Sequence, residues 1–208
     1  MFKDRIDAGL QLANKLISYK DRENVVVLAI PRGGLPLGAI VAKSLNARLD
    51  VALSKKIGHP FNKEFAIGAL NLNNIILDDN IEISIAYIEK EKKRLREKLR
   101  KRQAQYFKNR SPIALKDKIV IIIDDGIATG NTIRVTAQLV YDQKPQKIII
   151  AIPVAPKSTV QKLNAAPYIS EVVCLETPFN FQAVGQFYMD FDQVSDEEAI
   201  KILEDFDA

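Results

Sequence analysis

Residues 119–133 read IVIIIDDGIATGNTI. Five branched aliphatic residues run straight into two aspartates, then into a loop of small residues carrying two glycines and two threonines. The run predicts a buried strand, and an unpaired charge is costly at the end of such a strand. Asp124 and Asp125 therefore need partners there, either hydroxyl groups or a metal. The loop that follows indicates what else the site holds. Gly126, Ala128 and Gly130 leave backbone N–H groups that can turn inward as an anion nest, and Thr129 and Thr132 add hydroxyl donors. A helix beginning near Asn131 points its positive end at the same spot. A dianionic phosphate matches that loop. Acids beside a phosphate cradle make sense together when the ligand is a sugar phosphate, whose ring hydroxyls donate to the acids while its phosphate accepts from the loop. The chain contains neither G-x-x-x-x-G-K-[ST] nor G-x-G-x-x-G, so the competing phosphate-binding loops do not apply.

The surrounding sequence alternates strand and helix patterns, as in a parallel sheet with crossover helices. Helix is expected over 5–16, 34–45, 84–107, 132–141 and 158–164, with a last acidic helix at the end. Strands are expected over 25–30, 49–53, 119–123, 147–153 and the stretch EVVCLE. AIGAL and IILDD, on either side of a turn-like 71–74, read as an inserted hairpin. After Thr177 the rhythm stops, and TPFNFQAVGQFYMDF is aromatic-rich without a period. The chain shows no internal repeat, low-complexity segment or linker.

With 208 residues, 47% of them hydrophobic, the chain suffices for one well-cored α/β domain and a small appendage. No apolar run approaches the ~20 residues that span a bilayer, and the N-terminus lacks the apolar core of a signal peptide. A soluble cytoplasmic protein is the expectation. Cys174, the one cysteine, lies in an apolar run and reads as a core residue. The one histidine, His59, excludes a multi-histidine metal cluster. The net charge of +4 is unevenly placed: residues 89–110 hold eleven Lys or Arg against three Glu, whereas 190–208 hold eight acids and one lysine.

A second loop echoes the first. LAIPRGGLPLG ends the strand at 25–30 with Arg32, Gly33 and Gly34 and then enters a helix, offering a cation, bare amides and a helix N-terminus to an anion. Lys55 and Lys56, in LSKKIGHPFNKEFAIG, are expected to end the next strand, and alternation lets only one of them face the cleft. The loop after them is positioned to close as a lid.

The stretch from Ile119 to Thr132 resembles the phosphoribosyl pyrophosphate (PRPP) fingerprint of type I phosphoribosyltransferases. FKDRIDAGLQLA, IPRGGLPLG, KKIGHP, KEFAIGAL, VAPKSTVQKL and TPFNFQAVGQFYMDF, in order, resemble its branch of bacterial and archaeal members whose acceptor is unassigned. The resemblance implies a mainly parallel, doubly wound α/β core over 1–177, with a hairpin and long charged helix inserted over about 65–109, and a C-terminal hood and acidic helix over 178–208. It also implies transfer of 5-phosphoribosyl from PRPP to an acceptor such as a nitrogenous base, with release of pyrophosphate. Asp124 and Asp125 would hold the ribose hydroxyls, and Gly126, Ile127, Ala128, Thr129, Gly130, Asn131 and Thr132 the 5′-phosphate. Arg32, Gly33, Gly34 and one of Lys55 and Lys56 would hold pyrophosphate, through a loop whose peptide is often cis. Asp124, Asp125 and Arg32 would carry the catalysis. Mg²⁺ would arrive on PRPP, near the two acids, without a dedicated protein site. Asn131 departs from the small or hydroxyl residue common at that position and can serve as a cap.

Phe179, Phe181, Phe187 and Tyr188 either stack a planar base or plug a small C-terminal core. Asp190 and Asp192 either bond the base or face water. Two other functions compete with a transferase: a PRPP-binding regulator without catalysis, and an RNA-binding protein using the basic segment. That segment places Ile88, Leu95, Leu99 and Tyr106 on one face, with Glu89–Lys93 and Glu97–Lys101 pairs. A solvated surface helix, a packing or homodimer helix and an RNA stripe are its three readings.

Overall fold

The structure, a computed structural model, describes residues 1–63, 65–77, 83–107 and 111–207. The acidic end of IILDD and residues 108–110 of the basic segment lie outside them. In chain order the elements are α1 (Arg5–Lys15), β1 (Val25–Ala29), α2 (Gly34–Leu45), β2 (Arg48–Val51), β3 (Lys55–Gly58), β4 (Ala66–Leu70), β5 (Ile75–Leu77) and α3 (Ile85–Tyr106). They continue with β6 (Ile119–Ile123), α4 (Asn131–Tyr141), β7 (Lys147–Val154), α5 (Lys157–Asn164), β8 (Glu171–Glu176) and α6 (Asp196–Asp207).

Five strands form a parallel sheet in the order β2-β1-β6-β7-β8. Their aliphatic runs serve two cores by alternation. Val25, Val27, Ile119, Ile121, Ile123 and Ile149 face α1, α2 and α6. Val26, Leu28, Val120, Ile122, Ile148 and Ile150 face α4 and α5. Helices on both faces remove the polar side of every central strand, so the strands read as continuous hydrophobic runs. Each buried Ile or Val contributes about 1.5–3 kcal/mol. The fold is the expected α/β one. Among the described residues no helix is long and apolar enough to cross a membrane.

The inserted region differs from expectation. β2 stops at Val51, where the Ala52 N–H still donates to Ala29 (2.8 Å). Lys55 and Lys56 then open a separate strand, β3, antiparallel to β4, and β3-β4-β5 forms a second sheet. The two lysines therefore do not end the second strand of the main sheet. The physical reason is Ile57, which enters a third core with Ile67, Leu70, Leu95 and Leu99 and draws this strand against α3. In sequence, KKIG carries one apolar side chain among polar neighbours and gives no strand signal of its own.

Helix α3 is capped by Ser84, whose hydroxyl accepts from the Tyr87 N–H. Leu95, Leu99 and Tyr106 are buried on one face as expected, and Glu91 joins them, while Ile88 is only half-buried. Glu89 pairs with Lys92 (2.9 Å), one position earlier than the anticipated Lys93, and Glu97 pairs with Lys101 at 3.9 Å. The helix is therefore a packing element with a charged outer surface. The C-terminal segment contributes Tyr188, Val194, Ala199 and Leu203 to the first core. It is tied to the N-terminus by hydrogen bonds from Phe2 to Phe187 (2.7 Å), Met189 to Phe2 (2.9 Å) and Asp190 to Lys3 (2.9 Å).

Candidate active site

From β1 the chain moves outward to β2, and from β6 it moves the other way to β7 and β8. The loops leaving the carboxyl ends of β1 and β6 therefore flank the point where strand order reverses, the position at which open α/β sheets bind ligands. The two loops touch. A methyl group on Gly33 would lie 2.0 Å from the Asp125 Oδ2, and one on Gly34 would lie 2.6 Å from the Ile123 carbonyl oxygen. Only hydrogen fits at both positions, so Arg32-Gly33-Gly34 lies directly against the acid pair. The Pro31–Arg32 peptide bond is cis, as the resemblance implied for this loop. The Arg32 guanidinium is partly exposed and makes no hydrogen bond to any described residue.

The acids have unequal surroundings. Asp125 Oδ2 accepts from both Arg5 Nε (3.0 Å) and Nη2 (2.8 Å), in an ion pair whose side chains are 12% and 15% exposed. Arg5 also donates to the Asp192 carbonyl (2.7 Å) and stacks on Phe191 at 3.9 Å. The Tyr188 hydroxyl donates to the Asp125 carbonyl (2.6 Å), and burial pushes the Tyr188 phenol far above its usual range. Asp124 has no such cation. It accepts the Asp125 N–H (3.0 Å), and burial, followed by the charge of Asp125, raises its carboxyl well above the ordinary carboxylate range. Burial raises Asp125 as well, against the opposing pull of Arg5. Asp124 is therefore the acid left seeking donors.

In the β6–α4 loop, Gly126 (φ +148°) and Gly130 (φ +73°) adopt backbone that side chains disfavour. The Val184 and Val154 methyl groups additionally close on Gly126, at 2.6 and 3.0 Å from where its side chain would begin. The N–H groups of Ala128, Thr129, Gly130 and Thr132 have no partner among the described residues, and Ala128, Thr129, Asn131 and Thr132 are exposed. Thr159 fixes the loop from behind by donating to the Ala128 carbonyl (2.7 Å). Ile127 behaves differently from its neighbours: its N–H donates to Val154 (3.0 Å) and its side chain is buried in the second core. It anchors the nest and has no free donor for a phosphate. The Asn131 N–H lies 3.5 Å from the Thr129 hydroxyl oxygen.

A cavity of ≈ 420 Å³ opens at the meeting of these parts, lined by Arg5, Arg32, Gly33, Asp125, Val184 and Phe191 among others. The chain matches the phosphoribosyl transferase domain over residues 3–192. It belongs to the phosphoribosyl transferase family. Curated proteins of two Mycobacterium tuberculosis strains, each named "Putative phosphoribosyl transferase", are 39% identical over 209 residues, covering 98% of this chain and 46% of theirs. The chain spans about half the length of these relatives. The crystal structure of TT1426 from Thermus thermophilus is 38% identical, covering 99% of this chain and 98% of that one, with a TM-score of 0.90. A hypothetical protein from Neisseria gonorrhoeae, solved with bound ppGpp, shares the fold at 11% identity and a TM-score of 0.50, over 99% and 98% of the two chains.

In this member of the family the two lysines point to opposite sides. Lys55 is half-buried and turned toward α3, where burial and then the charges of Arg102 and Lys98 lower its ammonium from the usual range; Lys56 is exposed. The aromatic hood is mostly a plug. Phe181 and Phe187 stack on each other at 5.4 Å and pack on the first core, and Phe179 is fully exposed. Tyr188 is 6% exposed. Its ring packs between Phe2 and Phe191 and its hydroxyl is engaged, so it offers no face to a base. Asp190 and Asp192 contribute backbone groups to the N-terminal and Arg5 contacts.

Sequence reasoning singled out neither Arg5 nor Phe191, and it left Tyr188 open between stacking a base and plugging the core. The available signal for Arg5 was a lone arginine opening the first turn of the amphipathic FKDRIDAGLQLA. Nothing in sequence couples it to an acid 120 positions away.

Proposed function

We propose that the chain binds PRPP across both loops and transfers its 5-phosphoribosyl group to an acceptor, a nitrogenous base, releasing pyrophosphate in the cytoplasm. The observation that carries this reading is the direct apposition of the Arg32-Gly33-Gly34 loop and the acid pair, with the inward-turned N–H groups of 128–132 on the same edge. One molecule carrying phosphate, diol and pyrophosphate matches that sequence of chemistries.

PRPP is already activated, so the residues mainly position it and stabilise charge. The nest and Thr129 hold the 5′-phosphate. Asp124, half-buried and without a bonded cation, accepts from ribose hydroxyls and lies beside positive charge developing at the anomeric carbon. Arg5 fixes Asp125 and favours its ionised form against the effect of burial. Arg32 and the Gly33 amide take up the charge of the departing oxygens, whereas the Gly34 N–H is committed to the Ile30 carbonyl (3.0 Å) and contributes only by letting the loop lie close to the acids. Mg²⁺ requires six oxygens near octahedral geometry, and among the described residues no cluster of three or more His, Cys, Asp or Glu converges. The acid pair suits an ion whose other ligands come from PRPP, with Asp124 as the available protein oxygen; when bound, the ion neutralises the leaving pyrophosphate.

The test incubates the protein with PRPP, Mg²⁺ and a panel of nucleobases and measures pyrophosphate release. Release with at least one base, reduced in Arg32→Ala, is expected. PRPP binding without release from any base would assign the site to a PRPP-binding regulator, and absence of both PRPP and ribose 5-phosphate binding would overturn the reading of the site.

A further inference from the structure

Helix α3 and α6 meet beside the Arg32 loop around one carboxylate. The Tyr106 hydroxyl donates to Asp196 Oδ1 (2.8 Å), and Arg102 Nη2 donates to the same oxygen (3.3 Å). Arg32 acts electrostatically on both Asp196 and Tyr106, and Arg102 and Lys98 act on Lys55. Arg102, bonded to Asp196, thus links cations of three separate segments that act on this cluster: Arg32 after β1, Lys55 on β3, and Arg102 with the exposed Lys98 on α3. Among the described residues the side chains of Arg32, Lys55 and Lys98 have no hydrogen-bonding or ion-pairing partner, and that of Arg102 shares only Asp196. Gathering like charges costs folding energy, most clearly at Lys55, whose ammonium is half-buried. A single carboxylate leaves most of that charge uncompensated.

Asp196 also stands next to the cavity. It opens α6, two residues after Val194, and Val194 and Gln193 line the same cavity as Arg32 and Asp125. Its pair with Arg102 is 29% and 37% exposed, the regime in which ion pairs hold weakly.

We propose that Arg102, with Arg32 and Lys55, forms the grip for the pyrophosphate of the bound ligand, and that Asp196 is an internal anion occupying this grip until a ligand displaces it. This rests on the PRPP reading given above and adds to it a residue of the long helix and a competing carboxylate. The pyrophosphate accepts the guanidinium donors that Asp196 releases, so ligand binding and release of the start of α6 are coupled. A ligand lacking the pyrophosphate, such as ribose 5-phosphate, does not reach the grip.

Calorimetric titration of the full chain with PRPP, inorganic pyrophosphate and ribose 5-phosphate tests this, in the parent and in Arg102→Ala, Arg102→Lys and Asp196→Asn. Arg102→Ala should weaken PRPP and pyrophosphate by about 10- to 100-fold, the range for a lost charge-assisted hydrogen bond, with Arg102→Lys in between. Asp196→Asn should tighten both by about two- to five-fold, because an exposed pair competes only modestly. Ribose 5-phosphate affinity should be unchanged throughout, which also shows that the variants fold. Unchanged pyrophosphate affinity in Arg102→Ala, or weaker binding in Asp196→Asn, overturns the proposal while leaving the PRPP reading intact. Equal losses for all three ligands would overturn it too, since Arg102 would then be supporting the fold. If the parent binds ribose 5-phosphate but neither pyrophosphate nor PRPP, both this grip and the PRPP reading fall, and only the phosphate nest survives.

Discussion

Replacing Arg5 with alanine should be far more damaging than its place in the first turn of a surface helix suggests. The substitution leaves Asp125 without the guanidinium that neutralises it, in surroundings where both partners are 12–15% exposed. Breaking a pair so placed costs about 3–5 kcal/mol, mostly the penalty of the stranded charge. Solvent screening removes little of this, and the lost stacking on Phe191 adds about 0.5–1 kcal/mol. For a domain of this size about 2–4 °C of melting temperature goes with each kcal/mol, so a fall of about 7–24 °C is expected. The charge origin of the effect is separable from lost packing. In Arg5→Ala, Asp125→Asn should restore about 1–3 kcal/mol, because the stranded charge is gone. The penalty of Arg5→Ala should also shrink as pH falls, since protonation of Asp125 removes the same charge. The assay is thermal and urea unfolding of the four proteins of the cycle between about pH 4 and 8. A loss below about 1 kcal/mol, typical of an exposed pair, or strict additivity at neutral pH, would refute the argument.

Asp124→Asn should stabilise the ligand-free protein at neutral pH while impairing pyrophosphate release. Its carboxyl is raised in the folded state, so the native contribution is full below the unfolded-state value of about 3.9 and is lost as pH rises; the stability advantage of Asn over Asp should therefore grow from acid to neutral pH, and a pH-independent difference would contradict it. Thr129→Val should weaken ribose 5-phosphate and PRPP alike by removing one exposed phosphate donor, with titration as the check. Tyr188→Phe should cost about 0.5–1.5 kcal/mol through the lost bond to the Asp125 carbonyl, measured by urea unfolding, and should leave intact the packing that base stacking would have required to open.

The elements of the main sheet were legible because their two-sided burial writes itself into the sequence as uninterrupted aliphatic runs. β6 is read to the residue from IVIII followed by DD. The β6–α4 loop was equally readable, since positive φ at Gly126 and Gly130 leaves few alternatives. Where a contact joins distant segments, local pattern carries no trace. Lys55 and Lys56 were attached to the wrong strand because one isoleucine, Ile57, decides where they go, and the core it enters is built by α3 nearly forty residues later. For Tyr188 the sequence left base stacking and core packing both open, and the deciding fact was a carbonyl acceptor on Asp125. Ile127 fell within the phosphate loop by position alone, and only its bond to the end of β7 shows that its donor is committed.

The ties on Asp125 also have a consequence for how the molecule is made. Its carboxylate is held by a residue 120 positions earlier and its carbonyl by one 63 positions later, while the segment carrying Tyr188 hydrogen-bonds back to Phe2 and Lys3. Contacts of such span are the slowest to close in a folding chain. During synthesis β1, α2 and β6 can begin to pair before residue 188 has been made, yet the acid pair cannot be locked until it has. A chain arrested or cleaved before that point would retain a sheet without a fixed site, so competence for chemistry arrives late, well after the architecture that carries it.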